Sequence, residues 1–236
     1  MGRRNIHMIP QNRSHVAMHP SGNDDAWNWD AYWAANPPPR DQVLGGRRMA
    51  RRIARFIRSR GLDVRRVADV GCGPAITLFA LAARMPECAF DGFDSSRKVL
   101  SLNRRKVRRE GLRNLRFHHA ELPDLRTDGT YDIVICIATL HYVEDIRRGI
   151  KQLHRMVRPG GYLVFNYPNR VQQAATRREA RKDPVVLRRF ALVLSGANLL
   201  TQGGIEDVLR HRPRSFWREV NEPPRWLNPC VVVPKR

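Results

Sequence analysis

The sequence predicts an α/β fold, a mostly parallel sheet with helices on both faces. Three observations predict it. Residues 67–75 read as a short apolar strand, carrying Ala68 and Val70, that runs straight into a turn with Gly71 and Gly73. Residues 75–85 then place Ile76, Leu78, Phe79, Leu81 and Ala82 at helical spacing, with Pro74 suited to the first helical turn. Residues 89–94 read as a second strand that ends on Asp94, 21 positions after Gly73.

Each of these elements has a chemical reading. Glycines after a strand let the backbone turn tightly and bring its N–H groups close to a ligand. An acidic residue about 20 positions on meets ribose hydroxyls in nucleotide-binding α/β units, because a carboxylate accepts from two vicinal hydroxyls. The third glycine of a nicotinamide-cofactor fingerprint is absent, since position 76 is isoleucine. Residues 115–123 read as a third strand and a loop, and 131–137 as a fourth strand leading to His141 and Tyr142. Asp145 suits the cap of a helix over 146–157, and Arg158, Pro159, Gly160 and Gly161 introduce a fifth strand. The last two strands are expected near 214–220 and 229–235, around a turn at Pro223 and Pro224.

In this order the motifs resemble the class I S-adenosylmethionine (SAM)-dependent methyltransferases over residues 42–169 and 203–236. The run from Asp69 to Ala75, followed by an acid at the end of the next strand, is similar to that family's leading signature. The resemblance implies a seven-stranded, mostly parallel Rossmann-like sheet and S-adenosyl-L-methionine as cofactor. It implies that Asp69, Gly71, Cys72 and Gly73 surround the methionine end and the sugar, Cys72 through its backbone. Asp94 is then expected on the ribose with Ser95 beside it, and Glu121 near the adenine, with Ala120 and Ile137 lining the same site. The end of the fourth strand borders the methyl group in the family, so His141 and Tyr142 are the catalytic candidates. Methyl transfer from a sulfonium needs an acceptor held in line and water excluded; a base matters only for a protonated acceptor. His141 is either that base or a structural histidine of the loop.

Composition bounds the rest. At 236 residues one substantial core is expected. The net charge is +21, and only five of the 43 basic residues are lysine. Such a field attracts polyanions by counterion release, although a general arginine bias gives the same count. No long uncharged apolar run and no signal-like apolar core near the N-terminus occur, so no stable membrane insertion is expected. Four cysteines without paired spacing read as reduced thiols of a cytoplasmic protein, and no metal is expected.

Residues 1–40 read as a flexible arm with His7, His15 and His19, followed by an aromatic cap. Trp27, Trp29, Tyr32 and Trp33 either pack onto the core or form a lid over the transfer site. Residues 36–40 read as a stiff proline linker, and 41–236 as the SAM-binding domain. A helix over 42–60 carries Met49, Ile53, Phe56 and Ile57 on one side and Arg48, Arg51, Arg52, Arg55 and Arg58 on the other. A second basic helix follows Asp94. Residues 170–200 read as an inserted helical lid over the acceptor pocket or as a contact between two copies in a homodimer.

Three functions compete: methylation of a small organic acceptor through O, N or C; methylation of RNA on the basic surface; and a non-catalytic SAM-binding scaffold. The enclosed pocket implied by the cap and insertion favours the first. Charge favours the second, but no appended RNA-binding module is recognisable.

Overall fold

The computed structural model describes residues 27–223, 225 and 229–236. Residues 1–26 of the arm and cap expected over 1–40, with the three histidines, lie outside them, as does Pro224 of the expected turn. The chain opens with α1 (Trp29–Ala35), capped by the Asn28 side chain, and then α2 (Arg40–Ser59). Asp41 in the first turn and Arg58 in the last complement the dipole of α2. The core follows as β1 (Arg66–Val70), α3 (Ile76–Ala82), β2 (Ala89–Asp94), α4 (Arg97–Glu110), β3 (Leu115–His119) and β4 (Tyr131–Cys136). A 3-10 turn (Leu140–Tyr142), α5 (Ile146–Met156) and β5 (Val157–Asn166) complete the parallel part. The segment after β5 forms α6 (Arg170–Ala180), α7 (Pro184–Arg189) and α8 (Ala191–Ser195). The chain closes with α9 (Gln202–Leu209), β6 (Arg214–Ser215), α10 (Phe216–Glu219) and β7 (Cys230–Pro234).

The seven strands lie in the order β3-β2-β1-β4-β5-β7-β6. β1 to β5 pair in parallel, and β7 runs antiparallel to both β5 and β6. Alternate residues of each strand feed two apolar layers. On one face, Val67, Phe90, Ile133 and Ile135 meet Ile53 and Phe56 of α2, Leu78 of α3 and Leu100 of α4. On the other, Val70, Val134, Leu163 and Val231 meet Ile150 and Leu153 of α5 and Ile205 of α9. The two basic helices, α2 and α4, therefore share one face of the sheet.

Three expectations are corrected. α3 begins at Ile76, because Ala75 takes a left-handed conformation (φ 52°) and extends the glycine turn before the helix can start. The strand expected over 214–220 is only Arg214–Ser215; the chain turns into α10 at Phe216, and Phe216 and Trp217 are both buried. The proline linker is shorter than expected, since Arg40 already belongs to α2. Asp145 does cap α5, accepting from the Arg148 N–H at 2.9 Å. The strand order reverses between β1 and β4, and the loops that diverge there are 71–75 and 137–143. In open α/β sheets ligands bind at that crevice.

Candidate active site

The turn after β1 is built on backbone. The N–H groups of Gly71 and Cys72 both donate to the Phe93 carbonyl, at 2.8 and 3.0 Å. Gly71 and Gly73 have φ of 72° and 50°. A Cβ on Gly71 would fall 2.0 Å from Thr139 Oγ1, so the β1 and β4 loops touch where only glycine fits. Thr139 Oγ1 is 3.3 Å from the carbonyls of Val70 and Gly71 and holds the two loops together. The Gly73 carbonyl accepts from Asn103 Nδ2 at 2.7 Å, which ties the turn to α4. The Cys72 thiol is buried and faces the core near Gly92, so only its backbone reaches the turn.

Asp94 closes the turn. Its carboxylate accepts from the Gly73 N–H at 2.8 Å and from the Ser96 N–H at 2.9 Å. Burial raises its pKa against the pull of those two donors. Asp69 lies in the same crevice, buried, with no hydrogen bond among the described residues. Burial, and then the neighbouring Asp94 charge, push its pKa up to about 8. The carboxyl is thus held neutral at pH 7. From about pH 4 upward the unfolded chain loses this proton first, so Asp69's contribution to stability falls as pH rises and is gone above about pH 8.

Ser95 offers its carbonyl to His119 Nε2 at 3.0 Å. The buried serine hydroxyl beside Asp94 belongs to Ser96, which donates to Asp30 Oδ1 at 2.6 Å. Glu121 is exposed beyond β3, while Ala120 and Ile137 are half-buried against the two core layers. His141 and Tyr142 occupy the 3-10 turn after β4. His141 is 4% exposed, and burial lowers its pKa to about 4; the Gln172 side chain opposes this. Burial pushes the Tyr142 hydroxyl up to about 12.

The aromatic segment roofs this crevice. Trp33 lies against Gly73, and Trp29 meets Tyr142 edge-on with ring centroids 4.8 Å apart. Asp30 anchors α1 to the first turn of α4, accepting from the Ser96 hydroxyl and the Lys98 N–H. Phe190, between α7 and α8, also meets Tyr142, with ring centroids 5.5 Å apart. Cap and insertion therefore converge on one turn.

Two residues of the insertion escape sequence reasoning. Asn198 is fully buried, and its Nδ2 points at the carbonyls of Leu140, His141 and Val143, the shortest contact being 2.9 Å. Gln172 Oε1 lies 2.9 Å from His141 Nε2. Neither belongs to a motif, and both act 31 to 58 positions away in sequence. Asn166 accepts the Ala138 N–H at 2.7 Å and so braces the β4 loop from the end of β5.

Residues 67–161 match a family model described as a methyltransferase domain. The chain is 30% identical over 115 positions to a ubiquinone biosynthesis O-methyltransferase of Acinetobacter baumannii (strain ACICU), covering 48% of each chain. The chain spans about half the length of the curated relatives it matches. Its fold is similar to an O-methyltransferase family protein from Burkholderia thailandensis, at 18% identity and a TM-score of 0.62, covering 87% of this chain and 59% of that one. It is also similar to magnesium protoporphyrin IX methyltransferase from Synechocystis PCC 6803 with bound SAH, at 16% identity and a TM-score of 0.60, covering 85% and 90%. The β1 and β4 turns, Asp94 and the aromatic roof lie around one crevice. No helix among the described residues is long and apolar enough to cross a membrane, and all four cysteines are free and buried.

Proposed function

We propose that this chain is a SAM-dependent methyltransferase that transfers a methyl group to a small organic acceptor by in-line displacement. One observation carries the reading: the glycine turn, closed by the Asp94 carboxylate, lies under a roof of aromatic rings at the switch point of the sheet. The cofactor supplies a methyl group on a sulfonium that needs no further activation.

Every other contribution is the chain's own. Gly71 and Gly73 leave room for close backbone approach to the ligand, and the Cys72 backbone follows them. Asp94 exchanges its Gly73 contact for two ribose hydroxyls, with Ser95 beside it. Ala120 and Ile137 flank the adenine, and Glu121 accepts from its amino group. Asp69, unpaired and buried, meets the positive methionine end. Trp29, Trp33 and Tyr142 exclude water and present ring faces to positive charge. Residues 41–236 form the catalytic domain in this reading, 27–40 its cap and 170–200 its lid. The reduced state of the four thiols supports a cytoplasmic setting.

The Asp69 assignment makes a calorimetric prediction. A cation placed beside a carboxyl held neutral drives its ionisation. SAM binding at about pH 6.5 is expected to release close to one proton, read from binding heats in buffers of different ionisation enthalpy. The release should vanish above about pH 9 and in Asp69→Asn. Binding without proton release at the lower pH would sink the assignment.

Methylation of RNA is the second reading, and a specific groove favours it. A concavity of about 570 Å³ between α2, α3 and α4 is lined by Arg47, Arg105, Lys106 and Arg109 beside Trp33 and Phe79. Guanidinium groups around aromatic surface suit a phosphate backbone. Radiolabelled methyl transfer from SAM into a small-molecule extract and into total RNA separates the two. Label in the extract that Asp94→Ala abolishes supports the leading reading. RNase-sensitive label in RNA, lost in the same variant, replaces it with the second. SAM binding without label in either pool leaves the scaffold function.

A further inference from the structure

Gln172 lies on α6, in the segment inserted after β5, yet its side chain ends on the turn after β4. Its Oε1 is 2.9 Å from His141 Nε2. An amide oxygen only accepts, so His141 carries its proton on Nε2 and keeps a lone pair on Nδ1. That Nδ1 is buried and has no partner among the described residues. Asn198 Oδ1, from the far end of the same insertion, is also buried without a partner, while its Nδ2 holds the carbonyls of the His141 turn. The two orphaned atoms on this turn are both acceptors. The chemistry that answers them is a donor, and buried polar groups are otherwise satisfied. A hydroxyl or an amine qualifies; an ionised carboxylate has no proton to give.

We propose that Gln172 is a positioning residue that fixes the His141 tautomer, and that His141 Nδ1 takes the proton of a protic methyl acceptor, a hydroxyl or an amine. The proposal rests on the methyltransferase reading above. In the step, the acceptor O–H or N–H bond breaks and its proton passes to Nδ1. The acceptor lone pair forms the bond to the methyl carbon as the carbon–sulfur bond breaks, and that electron pair stays on sulfur. His141 returns the proton to water when the product leaves. Burial keeps the imidazole neutral well below pH 7, so the lone pair is available without prior deprotonation. Such a weak base is matched to an acceptor that becomes strongly acidic only as the methyl arrives. Tyr142 adjoins His141 on the same turn, and Arg189 of α7 faces Tyr142; no charge from either element offsets the burial of His141.

The test needs no identified acceptor. Imidazole 15N spectra of the histidine-labelled full chain, with His141 assigned by its loss in His141→Phe, report tautomer and titration directly. The wild type is expected to hold the Nε2–H tautomer at neutral pH. Gln172→Glu should raise the His141 pKa by about one unit or more, because a carboxylate favours the imidazolium. Gln172→Leu should let both tautomers populate, with far-ultraviolet circular dichroism unchanged. A wild-type Nδ1–H tautomer, or a tautomer unmoved by Gln172→Leu, would overturn the proposal. Once a methylated pool is found, the acidic limb of the transfer rate should move to higher pH with Gln172→Glu; a merely structural glutamine would leave that limb in place. SAM affinity is read by calorimetry on the same samples. Its absence from the wild type would defeat the methyltransferase reading and with it the base role, independently of the imidazole signals.

Discussion

Asp94→Ala is expected to weaken SAM binding about 100-fold or more, roughly 2.7 kcal/mol. The carboxylate makes two kinds of contact that alanine cannot replace. It accepts from the Gly73 and Ser96 N–H groups and so shapes the turn, and it is the acceptor proposed for the ribose hydroxyls. Hydrogen bonds to a charged group contribute about 1.5–3 kcal/mol each, so losing them covers the whole expected effect. Stability should change less than affinity. Removing Asp94 also removes a buried carboxylate whose ionised form burial disfavours, which offsets part of the cost of two unpaired N–H groups. Asp94→Asn, which keeps one acceptor oxygen, should lie between the two. Calorimetric titration with SAM and thermal unfolding of the three proteins check this. An Asp94→Ala affinity within about threefold of the wild type would remove Asp94 from the cofactor site.

Gly71→Ala is expected to destabilise the fold by about 2–5 kcal/mol. The new Cβ would sit 2.0 Å from Thr139 Oγ1, 2.3 Å from its Cγ2 and 2.7 Å from its Cβ, so one of two loops must move. Overpacking of this kind costs about 1–3 kcal/mol, and a left-handed φ adds about 1–2 kcal/mol for a residue with a Cβ. Gly61→Ala isolates the second effect, since Gly61 has φ 59° and nothing within 4 Å of its added Cβ; it should lose only about 1 kcal/mol. Thr139→Ala removes Oγ1 and Cγ2 and should restore part of the loss in the double variant. Urea denaturation of the four proteins is the measurement. A Gly71→Ala protein as stable as Gly61→Ala would show that the loops are not locked by this contact.

Much of this site could be read directly. Gly71, Gly73 and Asp94 declare themselves because their roles are local: a left-handed turn after a strand, and an acid at the end of the next strand. Asp145 was legible for the same reason, as a cap one residue before its helix. The start of α3 was not, because Ala75 adopts a left-handed conformation that its residue type does not advertise. Ser96 rather than Ser95 supplies the buried hydroxyl, since the turn after β2 swings one residue further before α4 begins.

The sequence by itself determined the succession of elements along the chain, the glycine turn, the acid at its side and the presence of an aromatic segment ahead of them. These follow from periodicity and from residue types with narrow backbone preferences, which act over a few positions. Only the tertiary structure decided where the cap and the insertion meet, that Asp69 is left neutral and unpaired, and that Gln172 and Asn198 hold the His141 turn. Those features depend on burial and on contacts between segments distant in the chain. Desolvation and hydrogen-bond partners exist only once the sheet has brought those segments together.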